Sequence, residues 1–261
     1  MVRIVTMAAT LAGAMLAMSV AARSADSVTV GTGGSASDAP FYIAQDRGYF
    51  KDENLDVKLL VLDSGAKVIA PLGTGELDVG SGALSVGFWN ALARGVKFRV
   101  VADRGHTEKG YYYQSVFMRK ELVDSGAMKS LKDLAGKRMG FAAQGVTSLS
   151  LLNEAAKSAG FKFEDVTPVY LSFPSQIAAM QNGALDGSFL IEPQATVAAS
   201  AGYGVRFMNT DDFYPHQQIS VLFYSEKFAT ERAASRVYSC TASATSLATS
   251  KGEMSSISSA M

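Results

Sequence analysis

Short runs rich in β-branched and aromatic residues alternate along the chain with longer segments of helical period, the pattern of an α/β fold. Residues 27–30, Ser-Val-Thr-Val, predict a first strand, and residues 31–40, rich in glycine and serine, a loop. A helix is expected over 39–48, with Pro40 in its first turn, where a missing N–H costs nothing. A strand at 55–62, a helix at 67–73, a strand at 77–80, a helix at 84–93 stopped by Gly95 and a strand at 98–102 complete a first block. A second block follows the same plan: strand 137–142, loop 144–148, helix 149–158 ended by Gly160, strand 166–171, helix 175–181 and strand 184–191.

The two blocks share a corner at one constant offset. Ile69-Ala70, Leu72, Gly75 and Leu77-Asp78 are matched by Ile177-Ala178, Met180, Gly183 and Leu185-Asp186, and 177 − 69 = 108. Physically this is a helix closed by a left-handed glycine and turned straight into a strand. A looser echo joins Gly48-Tyr49-Phe50 with Gly160-Phe161-Lys162-Phe163. The repeat predicts two similar α/β lobes.

The N-terminus changes the picture. Arg3 precedes an apolar stretch over 4–22, and Ala22-Arg23-Ser24-Ala25 offers small residues for cleavage after Ser24. Residues 1–24 are therefore expected to be an export signal and the mature protein to be periplasmic, the alternative being an uncleaved anchor. No cysteine stands near the cleavage point to take a lipid. Composition narrows the chemistry: of 261 residues, 48% are hydrophobic and 18% charged, which fits a globular protein. Lys plus Arg equals Asp plus Glu at 24 each, so no global field points to nucleic acid or an anionic membrane. One cysteine, Cys240, and two histidines, His106 and His216, leave little for a disulfide framework, a metal cluster or acid–base catalysis. No metal and no cofactor are expected.

In open α/β sheets, ligands sit beyond the carboxyl ends of the strands, where loops meet helix N-termini. The loop 33–38 with Ser35 and Asp38, the pair Ser64-Gly65, the loop 80–85 with Ser81, Gly82 and Ser85, and the loop 144–148 with Gln144, Thr147 and Ser148 occupy that position. Small hydroxyls, glycines and free backbone N–H groups suit a carboxylate, a sulfonate or an amide oxygen. None of these loops carries a phosphate-binding Gly-Lys-Ser/Thr triplet, and Gly31-Thr32-Gly33-Gly34 lacks the spacing of a dinucleotide loop. Trp89 stands either at the cleft or in the packing of its own helix. The run Tyr111-Tyr112-Tyr113 falls where the chain crosses between lobes, with Tyr112 the candidate to face a ligand. Glu192, before Pro193, would either accept hydrogen bonds from a ligand or cap the helix beyond Gln194.

Ala39-Pro40-Phe41-Tyr42-Ile43-Ala44, Gly48-Tyr49-Phe50-Lys51, Leu55-Asp56-Val57 and Gly75-Glu76-Leu77-Asp78-Val79-Gly80 resemble the opening of the nitrate/sulfonate/taurine-type ABC substrate-binding proteins, also called the thiamine-pyrimidine-synthase-like family. Leu131-Lys132-Asp133-Leu134-Ala135-Gly136-Lys137, Gly183-Ala184-Leu185-Asp186 and Glu192-Pro193 continue the resemblance, which runs from about residue 28 to residue 229. It implies a type II periplasmic binding protein: two lobes joined by a hinge, here over 25–107 and 108–229, closing on a ligand. Such a protein is not an enzyme; it is a monomer that delivers a small polar organic ligand (sulfonate, carboxylate or pyrimidine-like) to an ABC permease and its ATPase. The same family includes a pyrimidine-synthesising enzyme, and that branch implies a cysteine-rich iron-binding motif and a histidine, neither of which stands near the expected cleft. A periplasmic ligand-sensing module is the third reading.

Residues 230–261 depart from the resemblance. Within 233–261 there are nine Ser, six Ala and three Thr, and no helical period survives. A disordered tail or a frameshift in the gene near Arg236 accounts for it.

Overall fold

The computed structural model describes residues 24–62, 64–111 and 113–232. The expected signal over 1–24, apart from Ser24, and the tail from residue 233 onward lie outside the described residues. Two five-stranded mixed sheets organise the rest. The first contains β1 (Asp26–Thr32), β2 (Leu55–Val61), β3 (Val79–Gly82), β4 (Phe98–His106) and β10 (Gln218–Ser225), in the order β2-β1-β3-β10-β4. The second contains β5 (Gln114–Met118), β6 (Arg138–Phe141), β7 (Thr167–Tyr170), β8 (Gly187–Ile191) and β9 (Val205–Asn209), in the order β7-β6-β8-β5-β9. In each sheet four strands run in one direction and one, β10 in the first and β5 in the second, runs against them, so the lobes share one plan.

The helices lie between the strands: α1 (Ala39–Asp46), α2 (Tyr49–Asp52), α3 (Gly65–Thr74) and α4 (Val86–Ala93) in the first lobe, α5 (Lys120–Asp124), α6 (Thr147–Ala159), α7 (Phe173–Gln181) and α8 (Gln194–Ser200) in the second. A last helix, α9 (Glu226–Glu231), follows β10. The repeated corner is built alike in both lobes. Gly75 and Gly183 adopt φ of 76° and 78°, which glycine enters without the Cβ penalty. Leu77 and Leu185 are buried. Asp78 then accepts from the Thr29 N–H at 2.9 Å, and Asp186 from the Arg138 N–H at 2.9 Å, each tying the corner to the neighbouring parallel strand. The Leu-Asp repeat is thus a strand-edge clamp used twice.

Three strands, β5, β9 and β10, each held by antiparallel pairing, have no counterpart among the expected elements. The largest correction concerns the boundary at 108–229: β10 returns to the first sheet between β3 and β4, and α9 packs there too. The physical reason lies in β10 itself. Val221 and Phe223 join Val68, Leu72, Phe88 and Phe98 on one face of the sheet, while Leu222 and Tyr224 join Val28, Phe41, Val79 and Phe228 on the other. A strand buried on both faces reads as a continuous apolar run without alternation. The strand expected to stop at residue 102 also continues to His106, since it pairs with β10 over its whole length.

Candidate ligand-binding cleft

The chain crosses between the sheets twice, at 107–113 and 210–217, and the crossings are pinned to each other. The Thr107 N–H donates to the Gln217 carbonyl at 2.8 Å, the His216 N–H to the Thr107 carbonyl at 2.9 Å, and the Gln217 N–H to Thr107 Oγ1 at 2.7 Å. Beyond them the lobes face each other across a cleft of about 700 Å3, partly open to solvent. Direct hydrogen bonds join its two lips: Gly87 N–H to Gly145 O at 3.2 Å, Ala36 N–H to Glu192 O at 2.8 Å, and Gln194 Nε2 to Gly34 O at 2.9 Å.

Under the floor of the cleft lies a buried ion pair, of which Asp38 lines the cavity and Arg104 does not. Asp38 Oδ1 lies 3.1 Å from Arg104 Nη1, with 1% and 2% of the two side chains exposed. Asp38 also accepts from Ser81 Oγ at 2.8 Å and from the Ser35 N–H at 3.0 Å. Arg104 donates further to Ser81 Oγ and the Ser37 carbonyl, and its guanidinium stacks 4.2 Å over Phe41. Burial pushes the Arg104 guanidinium down from its ordinary value, and Asp38 opposes that shift. The pair's charges cancel. Beside it Tyr113 is in hydrogen-bonding reach of Ser35 and Ser37; burial raises its phenol above the usual range, so it stays protonated at neutral pH.

The walls come from helix beginnings. Ser64 and Gly65 open α3, Ser85 opens α4, Val146, Thr147 and Ser148 open α6, and Phe173 opens α7, and all of them line the cleft. Helix first turns usually carry acidic residues that offset the positive end of the dipole. None of these four has one. Ser85 Oγ accepts from the Phe88 N–H at 3.3 Å and Ser148 Oγ from Gln114 Nε2 at 2.8 Å, which leaves each hydroxyl hydrogen free to donate elsewhere. Ser64 Oγ is buried with no partner, although its residue is only 6% exposed. Close approach of these loops depends on glycine: a Cβ on Gly65 would fall 2.8 Å from Gly82 Cα.

Ser35, Asp38, Ser64, Gly65, Ser81, Gly82, Ser85, Thr147 and Ser148 thus all line one cavity. Trp89 does not. It is 55% exposed and meets Phe88 edge-to-face at 5.0 Å, on the outer side of α4. Gln144 is also absent from the lining, where Gln114 stands instead. Tyr112 lies outside the described residues, and the tyrosine in the cleft is Tyr113. The Glu192 carboxylate pairs with Arg206 and accepts from Thr196 Oγ1 at 2.8 Å and from the Thr196 N–H at 3.3 Å, so it caps α8 rather than facing the cavity. Sequence reasoning placed the tyrosine run at the crossing but singled out Tyr112 over Tyr113, and it missed Arg104, Gln114, Gln217 and Ser220, which lie beyond the elements it placed. No local signal marks Arg104, since its carboxylate partner, Asp38, stands 66 residues away in the chain.

Residues 35–253 match the family described as NMT1/THI5 like. The 4-amino-5-hydroxymethyl-2-methylpyrimidine phosphate synthase of Aspergillus parasiticus is 30% identical over 131 residues, 50% of this chain and 35% of that protein. The taurine-binding periplasmic protein of Escherichia coli strain K12 is 28% identical over 192 residues, 72% of this chain and 56% of that protein. The matched part therefore spans 35% to 56% of the length of these curated relatives. Among solved structures, the alkanesulfonate-binding protein SsuA from Xanthomonas axonopodis pv. citri, bound to MOPS, is similar with a TM-score of 0.71, covering 84% of this chain and 72% of that chain at 18% identity. At that identity the likeness speaks for the fold, the two-lobed fold of periplasmic binding proteins. With a family match over residues 35–253, well over half of its length, the chain belongs to the NMT1/THI5-like family.

Proposed function

We propose that the protein is the periplasmic solute-binding subunit of an ABC importer, capturing a small organic anion, a sulfonate or carboxylate, by lobe closure and without turnover. The observation that carries this reading is the convergence of four acid-free helix N-termini, with the unpartnered Ser64 hydroxyl, on one inter-lobe cavity. A helix N-terminus stabilises an anion by about 0.3–1 kcal/mol when exposed and up to ~2 kcal/mol when partly buried. Among the described residues no lysine or arginine lines the cavity, and Arg104 beneath it is committed to Asp38, so backbone dipoles and hydroxyls supply the attraction. The taurine-binding relative and the alkanesulfonate-binding neighbour support this ligand class. The pyrimidine phosphate synthases among the relatives favour an enzymatic alternative. Against it stands the cleft lining, which pairs no histidine with a nucleophile; His106 and His216 sit exposed at the crossings on either side of Glu108. Export, the permease and the ATPase are part of the same proposal, resting on the residues at the N-terminus and on the periplasmic relative.

Calorimetry against sulfonates, carboxylates and pyrimidines should give one-site binding for the anions, with each ligand recovered unaltered by mass spectrometry. Chemical conversion of any ligand by the purified protein would overturn the binding-only reading. Ser64→Ala has a distinctive signature. Affinity for the anion should fall roughly tenfold to hundredfold, the loss of one hydrogen bond to a charged group at about 1.5–3 kcal/mol. The free protein should melt no lower than wild type, because the deleted hydroxyl has no partner to lose. A fall in melting temperature with unchanged affinity would remove Ser64 from the site.

A further inference from the structure

The first strand begins at the second residue past the bond where the expected export signal would be cut. Ser24 and Ala25 are exposed, and β1 starts at Asp26. Asn54 holds both flanks of that bond: its Nδ2 donates to the Ser24 carbonyl at 3.4 Å, and its own carbonyl accepts from the Asp26 N–H at 3.0 Å. It does so with φ of 54°, in the left-handed region that asparagine enters more readily than most residues. From Asp26 onward every residue of β1 pairs with β2, Asp26 with Leu55 through to Thr32 with Val61, and Val30 and Gly31 pair with β3 on the other side.

What seals this strand comes from the far end of the chain. Arg232 donates from Nε to Asp26 Oδ2 at 3.2 Å and from Nη2 to the Ser27 carbonyl, while its Nη1 lies 3.0 Å from Asp78 Oδ1. The same guanidinium stacks 4.9 Å from the Phe228 ring. Val28 and Val30 of β1 are buried in one core with Leu222, Tyr224 and Phe228. The packing of β1 is therefore complete only once β10, α9 and Arg232 are in place.

We infer that folding controls a proteolytic processing site: the Ser24–Ala25 bond is open to a signal peptidase only while β1 is unpaired, and the docking of β10, α9 and Arg232 closes it. This rests on the proposed export of the chain and adds the state in which the signal is removed. The reaction is a hydrolysis. The C–N bond between Ser24 and Ala25 breaks, the hydroxyl of a water molecule goes to the Ser24 carbonyl carbon, and the remaining proton goes to the Ala25 nitrogen. A peptidase takes its substrate as an extended segment on both sides of the scissile bond, with small side chains before it, here Ala22 and Ser24. In the folded chain the segment after the bond is already a strand inside a sheet, and the carbonyl of the bond itself accepts from Asn54. Cutting then waits for a local opening, and its rate follows the open population.

For the test, the full chain is unfolded in urea and diluted into buffer. Purified signal peptidase is added at once or after refolding, with a freshly unfolded aliquot as the control for peptidase activity. Intact mass reads the loss of residues 1–24. Addition at once should give cleavage between Ser24 and Ala25, and addition after refolding should slow it roughly tenfold or more. Refolded Arg232→Ala and Asn54→Gly should each be cut roughly threefold or more faster than the refolded wild type. Glycine keeps the left-handed backbone at position 54, the melting temperature reports that each variant is folded, and the wild-type time course stands without either variant. Equal cleavage at every time of addition, or resistance unchanged in both variants, overturns the folding control and leaves the export reading in place. A freshly diluted chain that is not cut at all overturns both.

Discussion

In Asp38→Ala, thermal unfolding of the free protein is expected to shift down by roughly 6–20 °C, the consequence of leaving a buried cation without its partner. Breaking a buried pair by removing one member costs about 3–5 kcal/mol, and each kcal/mol moves the melting point of a chain this size by about 2–4 °C. Solvent screening does not soften the loss, since both side chains are almost fully buried. Asp38 also anchors Ser81 Oγ and the Ser35 N–H, so the cleft floor loosens with it and ligand affinity should fall in parallel. The double variant Asp38→Leu with Arg104→Met separates charge from shape. Two apolar side chains of similar volume remove both desolvation costs, so most of the stability should return while binding does not. If Asp38→Ala melts like the wild type, the pair is not the buried strut described above.

Gly145→Val is expected to lower ligand affinity at least tenfold and to destabilise the free protein by about 1–3 kcal/mol, the cost of a sparsely populated backbone conformation for a β-branched residue. Gly145 has φ of +72°, and a Cβ there would lie 3.0 Å from Gly87 N, the group that donates to the Gly145 carbonyl. Strain acts in every state of the chain, but the contact with Gly87 exists only when the lobes meet. Calorimetry and small-angle scattering read the two effects separately. A variant that binds with wild-type affinity would mean that closure does not bring these two backbones together.

The parallel parts of both sheets were legible because each parallel strand is joined to the next one along the chain by a helical segment that carries a left-handed glycine, Gly48, Gly75, Gly160 or Gly183, and the Leu-Asp clamp leaves the same letters in both lobes. The antiparallel strands carry no such punctuation. Gln114–Met118 is buried at every position, and Val221–Tyr224 divides its side chains between two cores, so neither shows the alternation of a half-exposed strand. The hydroxyl-rich loops of the cleft could be placed from their positions after strands. The partner of Asp38 could not: Arg104 is 66 residues away, and only the paired fold of β10 and β4 brings it underneath. Trp89 was ambiguous for an ordinary reason, since one aromatic on a short helix says nothing about which side faces in.

The return of β10 has a consequence for how the molecule is made. All five strands of the second sheet lie within 114–209, so that lobe has everything it needs as soon as this stretch has left the ribosome. The first lobe does not. β4 pairs with β10 alone, and β10 begins 112 residues after β4 ends, 218 − 106. At a synthesis rate of ~5–20 residues per second, β4 waits roughly 6–20 s with an unpaired edge. The N-terminal lobe is therefore the last to finish, and a stalled nascent chain that has emerged from the ribosome past β9 but not as far as β10 should hold a protease-resistant second lobe beside a first lobe that is still open to cleavage.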